Sequence, residues 1–330
     1  MSEVRWGVLG AARIARKQVI PAIRRAGAGE VLAVSSASGG APRFARELGI
    51  PRAYGSHDEV LADPDVDAVY IPLPNTFHAE WIIRAAQAGK HVLCEKPIVL
   101  GTAELDAVES ACADADVQLA EAFMYRHHPQ LQRLRELLDE GAIGELAMVE
   151  ASFHFVQQRA EPLDIRLRPD LGGGALHDIG CYPVDFLGWL TGVEPDEFGV
   201  VASRDRPGGA DTRVAVSARY GDVVASLQSS FDADFRAEAR LLGSEGALHL
   251  PDVFRSDVHD GTATIRLERG GDVTEIEVAG DQYGAQVSHF AHRAATGTPD
   301  PKGAALTRRT TATLARIARA ARLDVPGAES

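Results

Sequence analysis

The sequence predicts an α/β fold in which a doubly wound parallel sheet is followed by a large, mostly antiparallel open sheet. Its 330 residues suffice for about two domains. Hydrophobic residues make up 45% and charged residues 25%, as in ordinary globular chains, which excludes a fibrous or disordered protein. Short apolar runs alternate with helical segments of about 10–13 residues as far as residue 124, and strand-like runs dominate after it.

Parallel pairing in the first part follows from the order of its predicted elements. One helical segment separates each apolar run from the next, and such alternation pairs strands in parallel through right-handed crossovers. Gly49 and Gly89 end two of these helices, and Pro21 lies within the first. Strands are predicted at 4–10, 30–36, 66–71, 91–94 and 117–120, with helices at 14–25, 41–48, 76–88 and 102–115.

An antiparallel sheet with one covered face is predicted for the second part, because strand-like runs follow one another across short Gly and Asp turns. Strands are predicted at 146–155, 212–220, 223–231, 236–242, 246–250, 263–269 and 273–278, with helices at 130–140, 174–190 and 306–322. The change of pattern predicts domains of residues 1–124 and 125–330. The last helix is a candidate to pack back on the first domain.

The charge and cysteine content restrict the partners and the compartment. Lys and Arg number 34 against 47 Asp and Glu, a net charge of −13, which disfavours binding to nucleic acid or to an anionic membrane. No apolar stretch approaches the roughly 20 residues of a membrane helix, and the N-terminus lacks the pattern of a signal peptide. The three cysteines have no close spacing and suit reduced thiols, so we expect a cytoplasmic protein.

A glycine-led turn connects the first strand to the first helix. Gly10, Ala12 and Ala15 occupy the spacing of the dinucleotide-binding fingerprint, in which the turn and the helix N-terminus receive a pyrophosphate. Ala12 departs from the usual glycine, so the backbone would have to approach the phosphates beside a methyl group. An ordinary strand-to-helix turn is the alternative, which the alternating elements after it disfavour.

The end of the second predicted strand bears on the choice of nucleotide. NAD sites usually carry an acidic residue there, which binds the ribose hydroxyls. This sequence has Ser35, Ser36 and Ser38 instead, with Arg43 nearby, a set that suits the 2′-phosphate of NADP. A polar loop with one surface arginine is the alternative interpretation of the same residues.

Lysine is rare in this chain, and Lys96 follows the fourth predicted strand in the segment Glu95-Lys96-Pro97. Ligands of open parallel sheets lie beyond the carboxyl ends of the strands, so Lys96 is placed where a nicotinamide would bind. An exposed lysine after a strand, without a catalytic role, is the alternative.

A run of three glycines, 172–174, precedes the predicted helix that contains Asp178 and Tyr182. Glycine permits unusual backbone angles and the close approach of another group. The carboxylate and the phenol are four residues apart and share a helix face, where they could form a pair that handles protons. An Asp that only stabilises the helix N-terminus, beside a packed Tyr, explains the spacing equally well.

Other catalytic chemistries have little support. Several pairs of potential metal ligands occur, but none has a third and fourth ligand at recognisable spacing, so we expect no metal site. These pairs are His177 with Cys181, His127 with His128, and His289 with His292. The sequence contains neither the Gly-x-Ser-x-Gly elbow of serine hydrolases nor a Walker-type phosphate loop.

Taken together, these motifs resemble those of the glucose–fructose oxidoreductase / inositol dehydrogenase / MocA (Gfo/Idh/MocA) family over nearly the whole chain. The resemblance implies a Rossmann domain followed by an α/β domain on a large open sheet, through which members form homodimers or homotetramers. It also implies that the Lys96–Pro97 bond is cis. The segments that carry the resemblance are 7–15, 70–78, 89–97, 121–126 and 172–182.

The resemblance further implies the site residues. The catalytic set is Lys96, Asp178 and Tyr182, and Tyr at the last position is similar to the branch that contains dihydrodiol dehydrogenase and NADP-dependent D-xylose 1-dehydrogenase. The cofactor-binding candidates are Gly10, Ala12, Arg13, Ile14, Ser36, Ala37, Ser38, Arg43, Leu73, Pro74, Asn75, His78, Glu95, Lys96 and Glu121. The substrate-binding candidates, besides Asp178 and Tyr182, are Tyr125, Arg126, Phe155, Arg166 and Tyr283.

The implied function is hydride transfer between a nicotinamide cofactor, NADP in preference to NAD, and a carbon of a sugar or polyol. Tyr182 is expected to exchange the hydroxyl proton, with Lys96 lowering the pKa of its phenol and Asp178 orienting Lys96 or a sugar hydroxyl. The leading interpretation is an aldose (D-xylose-like) 1-dehydrogenase or a dihydrodiol-type dehydrogenase. The alternatives are a nucleotide-linked deoxysugar 3-ketoreductase, for which Arg159, Arg166 and Arg168 could bind the diphosphate, and a non-catalytic cofactor-binding regulatory protein.

Overall fold

The computed structural model describes residues 3–159, 164–323 and 326, and the chain divides into two compact units. The first unit comprises Met1–Phe123 and Tyr283–Ala305, and the second comprises Met124–Gln282 and Leu306–Ser330. The functional roles of the two predicted domains, and the return of the last helix to the first of them, stay predictions.

The first unit is built on a parallel sheet whose strands pair in the order β3-β2-β1-β4-β5-β6. The strands are β1 (Arg5–Leu9), β2 (Glu30–Ser35), β3 (Arg52–Tyr54), β4 (Ala68–Ile71), β5 (His91–Cys94) and β6 (Leu119–Glu121). The helices are α1 (Ile20–Arg25), α2 (Ala41–Leu48), α3 (His57–Leu61), α4 (His78–Gln87) and α5 (Thr102–Asp114). This is the strand order of a doubly wound nucleotide-binding sheet, which confirms the predicted fold class of this part.

Two short elements of the first unit escaped prediction, β3 and α3. Strand β3 is a three-residue strand at the edge of the sheet. Helix α3 begins with a capping box, in which Ser56 Oγ accepts from the Glu59 N–H at 3.3 Å and Glu59 Oε2 accepts from the Ser56 N–H at 2.8 Å. The Ser-x-x-Glu spacing at 56–59 is therefore the sequence signal that could have found this helix.

The helix predicted at 14–25 is present, but its winding changes along its length. Residues Ala15–Val19 form a π turn, and α1 begins directly after it. Pro21 lies in the first turn of α1, where a residue needs no backbone N–H for the helical ladder. The π turn thus moves the ladder to a register that tolerates the proline.

The second unit is built on an eight-stranded sheet of order β14-β13-β12-β11-β7-β10-β9-β8. Its helices are α6 (Pro129–Asp139) and α7 (Cys181–Thr191). Its strands are β7 (Leu146–Val156), β8 (Glu197–Arg204), β9 (Asp211–Tyr220), β10 (Val223–Ser230), β11 (Asp232–Gly243), β12 (Gly246–Leu250), β13 (Thr262–Arg269) and β14 (Asp272–Ala279). Neighbours pair antiparallel except β7 with β10, which confirms the prediction of a large, mostly antiparallel sheet.

One face of this sheet is packed and the other faces solvent. In β7 the side chains of Val149, Ala151 and Phe153 are buried, whereas those of Met148 and Glu150 are exposed. This alternation is the expected pattern of an antiparallel sheet with one covered face. Edge strand β8 escaped prediction.

Two helices end the described chain, α8 (Gln282–Thr296) and α9 (Pro301–Ala320). Helix α8, which was not predicted, packs within the first unit, where the ring of Phe290 lies 5.2 Å from that of Trp6. The part of α9 from Leu306 onwards belongs to the second unit. Among the residues that the structure describes, no helix is both long and apolar enough to span a bilayer.

The buried ammonium group of Lys90 holds a turn of the first unit. Replacing Lys90 therefore tests how much this turn contributes to the stability of the unit. Nζ donates to the carbonyl oxygens of Asp63 at 2.9 Å and Val66 at 2.8 Å, and the residue is 8% exposed. Lys90→Met leaves both carbonyls without this donor, so we expect the free energy of unfolding in urea to fall by about 2–4 kcal/mol. Lys302→Met, at an exposed position, is the matched control, and equal effects of the two substitutions would contradict the assignment.

Candidate active site

The turn after β1 has the backbone geometry that a dinucleotide phosphate requires. Gly10 has a φ of 124°, and a Cβ there would lie 3.2 Å from Leu73 Cδ2. The position therefore favours glycine for both conformation and space. The helix starts at Arg13, and the side chain of Ala12 before it has no polar atom with which to cap the backbone N–H groups. These N–H groups suit an anion, so the residues present fit the predicted cofactor.

The end of β2 forms a polar surface. The hydroxyls of Ser36 and Ser38 lie 3.0 Å apart, and Ala37 between them is exposed. The side chain of Arg43 is 75% exposed, and its Nε donates to Glu47 Oε1 at 2.9 Å. A serine pair and a solvent-accessible guanidinium are donors suited to a phosphate. Ala12 is half-buried and Arg13 is exposed.

The loop that carries Lys96 is braced by a buried histidine. The Lys96–Pro97 peptide bond is cis, which confirms the prediction. His78 is fully buried, with Nδ1 2.9 Å from the Pro97 carbonyl oxygen and Nε2 2.9 Å from that of Leu73. Burial lowers the pKa of His78. The imidazole thus joins two loops, and its nitrogens are occupied by backbone.

The two acidic cofactor candidates of this unit also make contacts within it. Tyr70 donates to Glu95 Oε1 at 2.6 Å, and Glu121 Oε1 accepts from the Ile98 N–H at 3.0 Å. Burial, followed by the charge of Glu95, raises the pKa of Tyr70, and the nearby phenol of Tyr283 contributes to the rise. Tyr283, a substrate-contact candidate, belongs to the first unit, and its side chain is 6% exposed. Pro74 and Asn75 lead into α4, with Asn75–Phe77 forming a 3₁₀ turn.

The helix that carries Asp178 and Tyr182 is irregular where a regular helix was predicted. Residues Leu176–Gly180 form a π turn before α7 begins, so the two residues straddle a change of winding. Pro183 follows this turn as Pro21 follows the π turn in the first unit. A proline lacks the N–H that a regular helical ladder needs, which explains why the helix is not regular here. Such π turns are frequent at functional sites.

Tyr182 is held by aromatic side chains of the second unit. The centre of its ring lies 5.2 Å from that of Phe153, 5.6 Å from Phe254 and 5.9 Å from Tyr125. Its hydroxyl donates to Met124 Sδ at 3.6 Å, and a thioether is a weak acceptor. The ring is therefore positioned firmly by these aromatic contacts. Phe153 and Phe254 are site residues that the sequence reasoning missed.

Arg166 and Phe155, two predicted substrate contacts, are engaged within the second unit. Arg166 Nε donates to Asp178 Oδ2 at 2.8 Å, and its Nη1 lies 3.3 Å from Asp164 Oδ1. The Asp178 carboxylate, ahead of other causes, raises the pKa of Arg166. The ring of Phe155 lies 5.2 Å from that of Phe231. The guanidinium thus orients Asp178.

Tyr125 and Arg126, also predicted to contact substrate, converge on a buried carboxylate. Asp185 is fully buried and accepts from the Tyr125 hydroxyl, from Arg126 Nε at 2.9 Å and from Thr310 Oγ1 at 2.7 Å. Burial and the charge of Asp185 raise the pKa of Tyr125. The sequence reasoning missed Asp185, although one charged residue within the apolar run 181–191 is a signal of a buried network.

Asp211 is another residue that the sequence reasoning missed, and it contacts the start of the same helix. Its Oδ2 accepts from the Leu176 N–H at 2.8 Å, and the residue is 4% exposed. Gly174 has a φ of 129°, and a Cβ there would lie 2.1 Å from Asp211 Oδ1. The last glycine of the 172–174 run is therefore required by the carboxylate above it.

The structure also describes the surroundings of the His and Cys side chains that were considered as potential metal ligands. Among residues 3–159, 164–323 and 326, no three His, Cys, Asp or Glu side chains form a group that could hold a metal ion. Burial lowers the pKa of His177 to about 4, so this imidazole is neutral at physiological pH. The three cysteines are buried thiols.

The fold and these residues define a class of protein, nucleotide-dependent oxidoreductases with a Rossmann domain and a second domain on an open sheet. Residues 4–123 match the family model described as an oxidoreductase family with an NAD-binding Rossmann fold, and residues 131–249 match the GFO/IDH/MocA C-terminal domain. The chain therefore belongs to the Gfo/Idh/MocA oxidoreductase family, and the predicted resemblance is confirmed.

Individual relatives cover most of the chain. It is 40% identical over 295 residues to D-xylose 1-dehydrogenase (NADP(+)) 2 of Haloferax volcanii, covering 88% of this chain and 89% of the relative. It is 39% identical over 308 residues to dTDP-3,4-didehydro-2,6-dideoxy-α-D-glucose 3-reductase of Streptomyces violaceoruber, covering 91% and 89%. The solved structure of KijD10, a 3-ketoreductase from Actinomadura kijaniata in complex with NADP and TDP-benzene, matches with a TM-score of 0.90, 30% identity and coverage of 97% and 98%.

The contact between Gly174 and Asp211 predicts an unusually costly glycine substitution. Gly174→Ala adds a methyl group to a backbone with positive φ and directs it at the carboxylate, so the free energy of unfolding should fall by about 2–5 kcal/mol. Gly271→Ala is the control, because Gly271 also has a φ beyond the ordinary left-handed region, at 93°, but no atom within 4 Å of its Cβ position. Urea unfolding of both variants measures the difference. Equal losses would show that backbone conformation alone, rather than the carboxylate, requires glycine at 174.

Proposed function

We propose that the protein is an NADP-preferring dehydrogenase that transfers a hydride between the nicotinamide and a carbon of a sugar or polyol. The preferred substrate class is an aldose of the D-xylose type or a dihydrodiol. The observation that carries the proposal is the phenol of Tyr182, whose ring is held by the aromatic neighbours Phe153 and Phe254 next to the segment that carries Asp178. The similarity to D-xylose 1-dehydrogenase supports the substrate class.

The residues divide the chemistry between them. A bound nicotinamide supplies a hydride acceptor or donor. In oxidation, the substrate carbon loses a hydride and its hydroxyl loses a proton, which Tyr182 accepts as the carbonyl forms. A phenol has a pKa of about 10, so Tyr182 needs a cation that favours the phenolate, and the Lys96 ammonium is assigned that role at the reacting oxygen. Asp178, oriented by Arg166, accepts a hydrogen bond from a sugar hydroxyl.

NADP is the proposed cofactor because of the residues that follow β2. Ser36 and Ser38 stand where an NAD site usually carries an acid, and the exposed Arg43 supplies a positive charge for a 2′-phosphate. The name of the Haloferax volcanii relative specifies NADP(+), and the KijD10 structure contains NADP. The turn at Gly10 and the helix start after it are proposed to receive the pyrophosphate.

A nucleotide-linked 3-ketoreductase is the second candidate, because the chain is 39% identical to such an enzyme. A diphosphate substrate needs available cations, and the three arginines that could serve are paired with carboxylates of their own unit. The pairs are Arg159 with Asp232, Arg166 with Asp178 and Asp164, and Arg168 with Asp170. This internal neutralisation favours an uncharged sugar over a nucleotide sugar.

Self-association through the open sheet and a cytoplasmic location are also part of the proposal. Met148 and Val224 pair across β7 and β10 on the solvent-facing side of the sheet, and each is 45% exposed. Neighbouring exposed apolar side chains support a contact with a second copy, as a homodimer or homotetramer. The three buried thiols suit a reducing compartment.

The function is tested by following the absorbance of reduced nicotinamide with NADP and NAD in parallel. D-xylose and other aldoses, trans-dihydrodiols and a dTDP-linked keto sugar form the panel. We expect turnover of an aldose or diol with NADP. Turnover of the nucleotide sugar alone would select the ketoreductase, and cofactor binding without turnover of any substrate would select a non-catalytic binding protein.

Tyr182→Phe tests the proton-transfer role directly. Loss of the hydroxyl removes the acid or base while keeping the packed ring, so kcat should fall by about 10²–10⁴-fold. Tyr220→Phe is the matched control, because within the described structure the buried Tyr220 hydroxyl has no hydrogen-bond partner. Wild-type turnover in the Tyr182 variant, measured with the best substrate, would exclude the role.

Arg43→Gln tests the cofactor preference. Removing one charged contact to a 2′-phosphate should lower kcat/KM for NADP by about 10-fold or more and leave kcat/KM for NAD unchanged. Arg46→Gln removes a second exposed arginine of α2 and serves as the control. Parallel losses with both cofactors would mean that Arg43 does not recognise the 2′-phosphate.

A further inference from the structure

The segment that carries Asp178 is fastened to the open sheet on both sides of this residue. Ahead of it, the Leu176 N–H donates to Asp211 of β9 at 2.8 Å. Behind it, Gly180 approaches β10 so closely that a Cβ would lie 2.9 Å from Ser229 Oγ. Asp178 lies midway between these two contacts, so the sheet determines where its carboxylate points.

Asp211 has no part in the proton or hydride transfer proposed above, yet its carboxylate is buried at 4% exposure. A buried charge is costly unless hydrogen bonds compensate it. Here the backbone N–H groups of Ala175 and Leu176 hydrogen-bond to the carboxylate. The adjoining Gly174 has a backbone angle and an empty Cβ position that make room for it. The site is thus built around this side chain.

We propose that Asp211 is a positioning residue of the active site, because its carboxylate ties the start of the helix to β9 and so orients Asp178 and Tyr182. This inference rests on the proposed catalytic roles of those two residues. The anchor acts through backbone hydrogen bonds at residues 175–176. Tyr182 lies within two helical turns of them, with its ring against Phe153 of the same sheet.

Protonation of Asp211 changes this anchor, because a neutral carboxyl group keeps only one good acceptor oxygen for the two N–H groups. Burial raises the pKa of Asp211 to about 6, against an ordinary value of 3.8, although Arg204 of β8 and the backbone hydrogen bonds oppose the rise. His177 on the anchored segment is buried and neutral in this range, since its pKa is about 4, and β10 presents the uncharged Ser229. The carboxylate that accepts both N–H bonds is therefore half populated at about pH 6 and predominates above it.

Stability and the two N–H hydrogen bonds depend on pH in opposite directions. Because the folded-state pKa of Asp211 is raised, its contribution to stability is fully present below about pH 4 and is lost as pH rises through about 6. The folded protein with an ionised Asp211 is thus less stable toward unfolding than the folded protein with a protonated Asp211. We expect kcat to gain an ascending limb near pH 6 while the melting temperature does not rise with it.

The kinetic test compares Asp211→Asn and Asp211→Ala with Asp222→Asn, an exposed substitution in the turn between β9 and β10. Asn keeps one acceptor oxygen and Ala keeps none, so kcat should fall in that order, by about 10- to 100-fold for Ala, with KM changed much less. The ascending limb near pH 6 should disappear in Asp211→Asn and persist in the control. Unchanged kcat and an unchanged pH profile in Asp211→Asn, with only a lower melting temperature, would overturn the proposal.

Amide hydrogen exchange tests the anchor without any turnover, and so separates it from the proposed function. After correction for intrinsic rates, wild-type peptides covering 174–182 should exchange about 10-fold faster at pH 8 than at pH 5, because opening exposes Asp211 to water and its ionisation there favours the open state, whereas peptides from β5 should not change. This measurement requires no variant to fold. Equal protection at both pH values would overturn the anchor. A pH-dependent anchor in a protein that turns over no substrate would leave the anchor standing and remove the catalytic assignment.

Discussion

The second unit can present Asp178 and Tyr182 as it does because a glycine opens the start of their helix to a buried carboxylate. A side chain at position 174 would meet Asp211 at 2.1 Å, so either the carboxylate or the helix would have to move. The helix is also close to β10 at Gly180, which leaves it little freedom to slide. Close packing of this kind transmits a small change at the anchor to every residue of the helix face.

The first unit contains the same local geometry and puts it to a different use. Gly10 and Gly174 have φ values of 124° and 129°, and each is followed by a π turn and then by a proline. In the second unit a carboxylate of the same unit accepts the N–H groups at the helix start. In the first unit Ala12 precedes the helix and has no side-chain acceptor, so the N–H groups suit the anion of a ligand. One backbone arrangement thus gives an internal anchor in one unit, and in the other it leaves the N–H groups open to the phosphate of the proposed cofactor.

Elements set by local pattern were predictable, whereas partners distant in sequence were not. The strand predicted at 91–94 is β5 (His91–Cys94), because apolar residues between turns specify a buried parallel strand. Asp211 accepts a hydrogen bond from the N–H of Leu176, which lies 35 residues before it in the sequence. The position of Asp211 at the start of a strand gives no sign of that contact. The ion pair of Arg166 with Asp178 likewise depends on how the loop before the helix folds. Resemblance to a family located Lys96, Asp178 and Tyr182, but it did not reveal what holds them.

The residues that anchor the helix are different from the exposed arginines that could bind a charged substrate. Asp211 and Asp185 are almost completely buried and hold the helix, whereas Arg159 and Arg168 are exposed and pair with nearby carboxylates. Exposed ion pairs contribute little to stability, so a change in their acidic partners could release a cation for a charged substrate without disturbing the helix. The anchored helix and the charge of the loop before it can therefore change independently, so that the proposed preference for a neutral sugar depends on the loop and the position of Asp178 on the anchor.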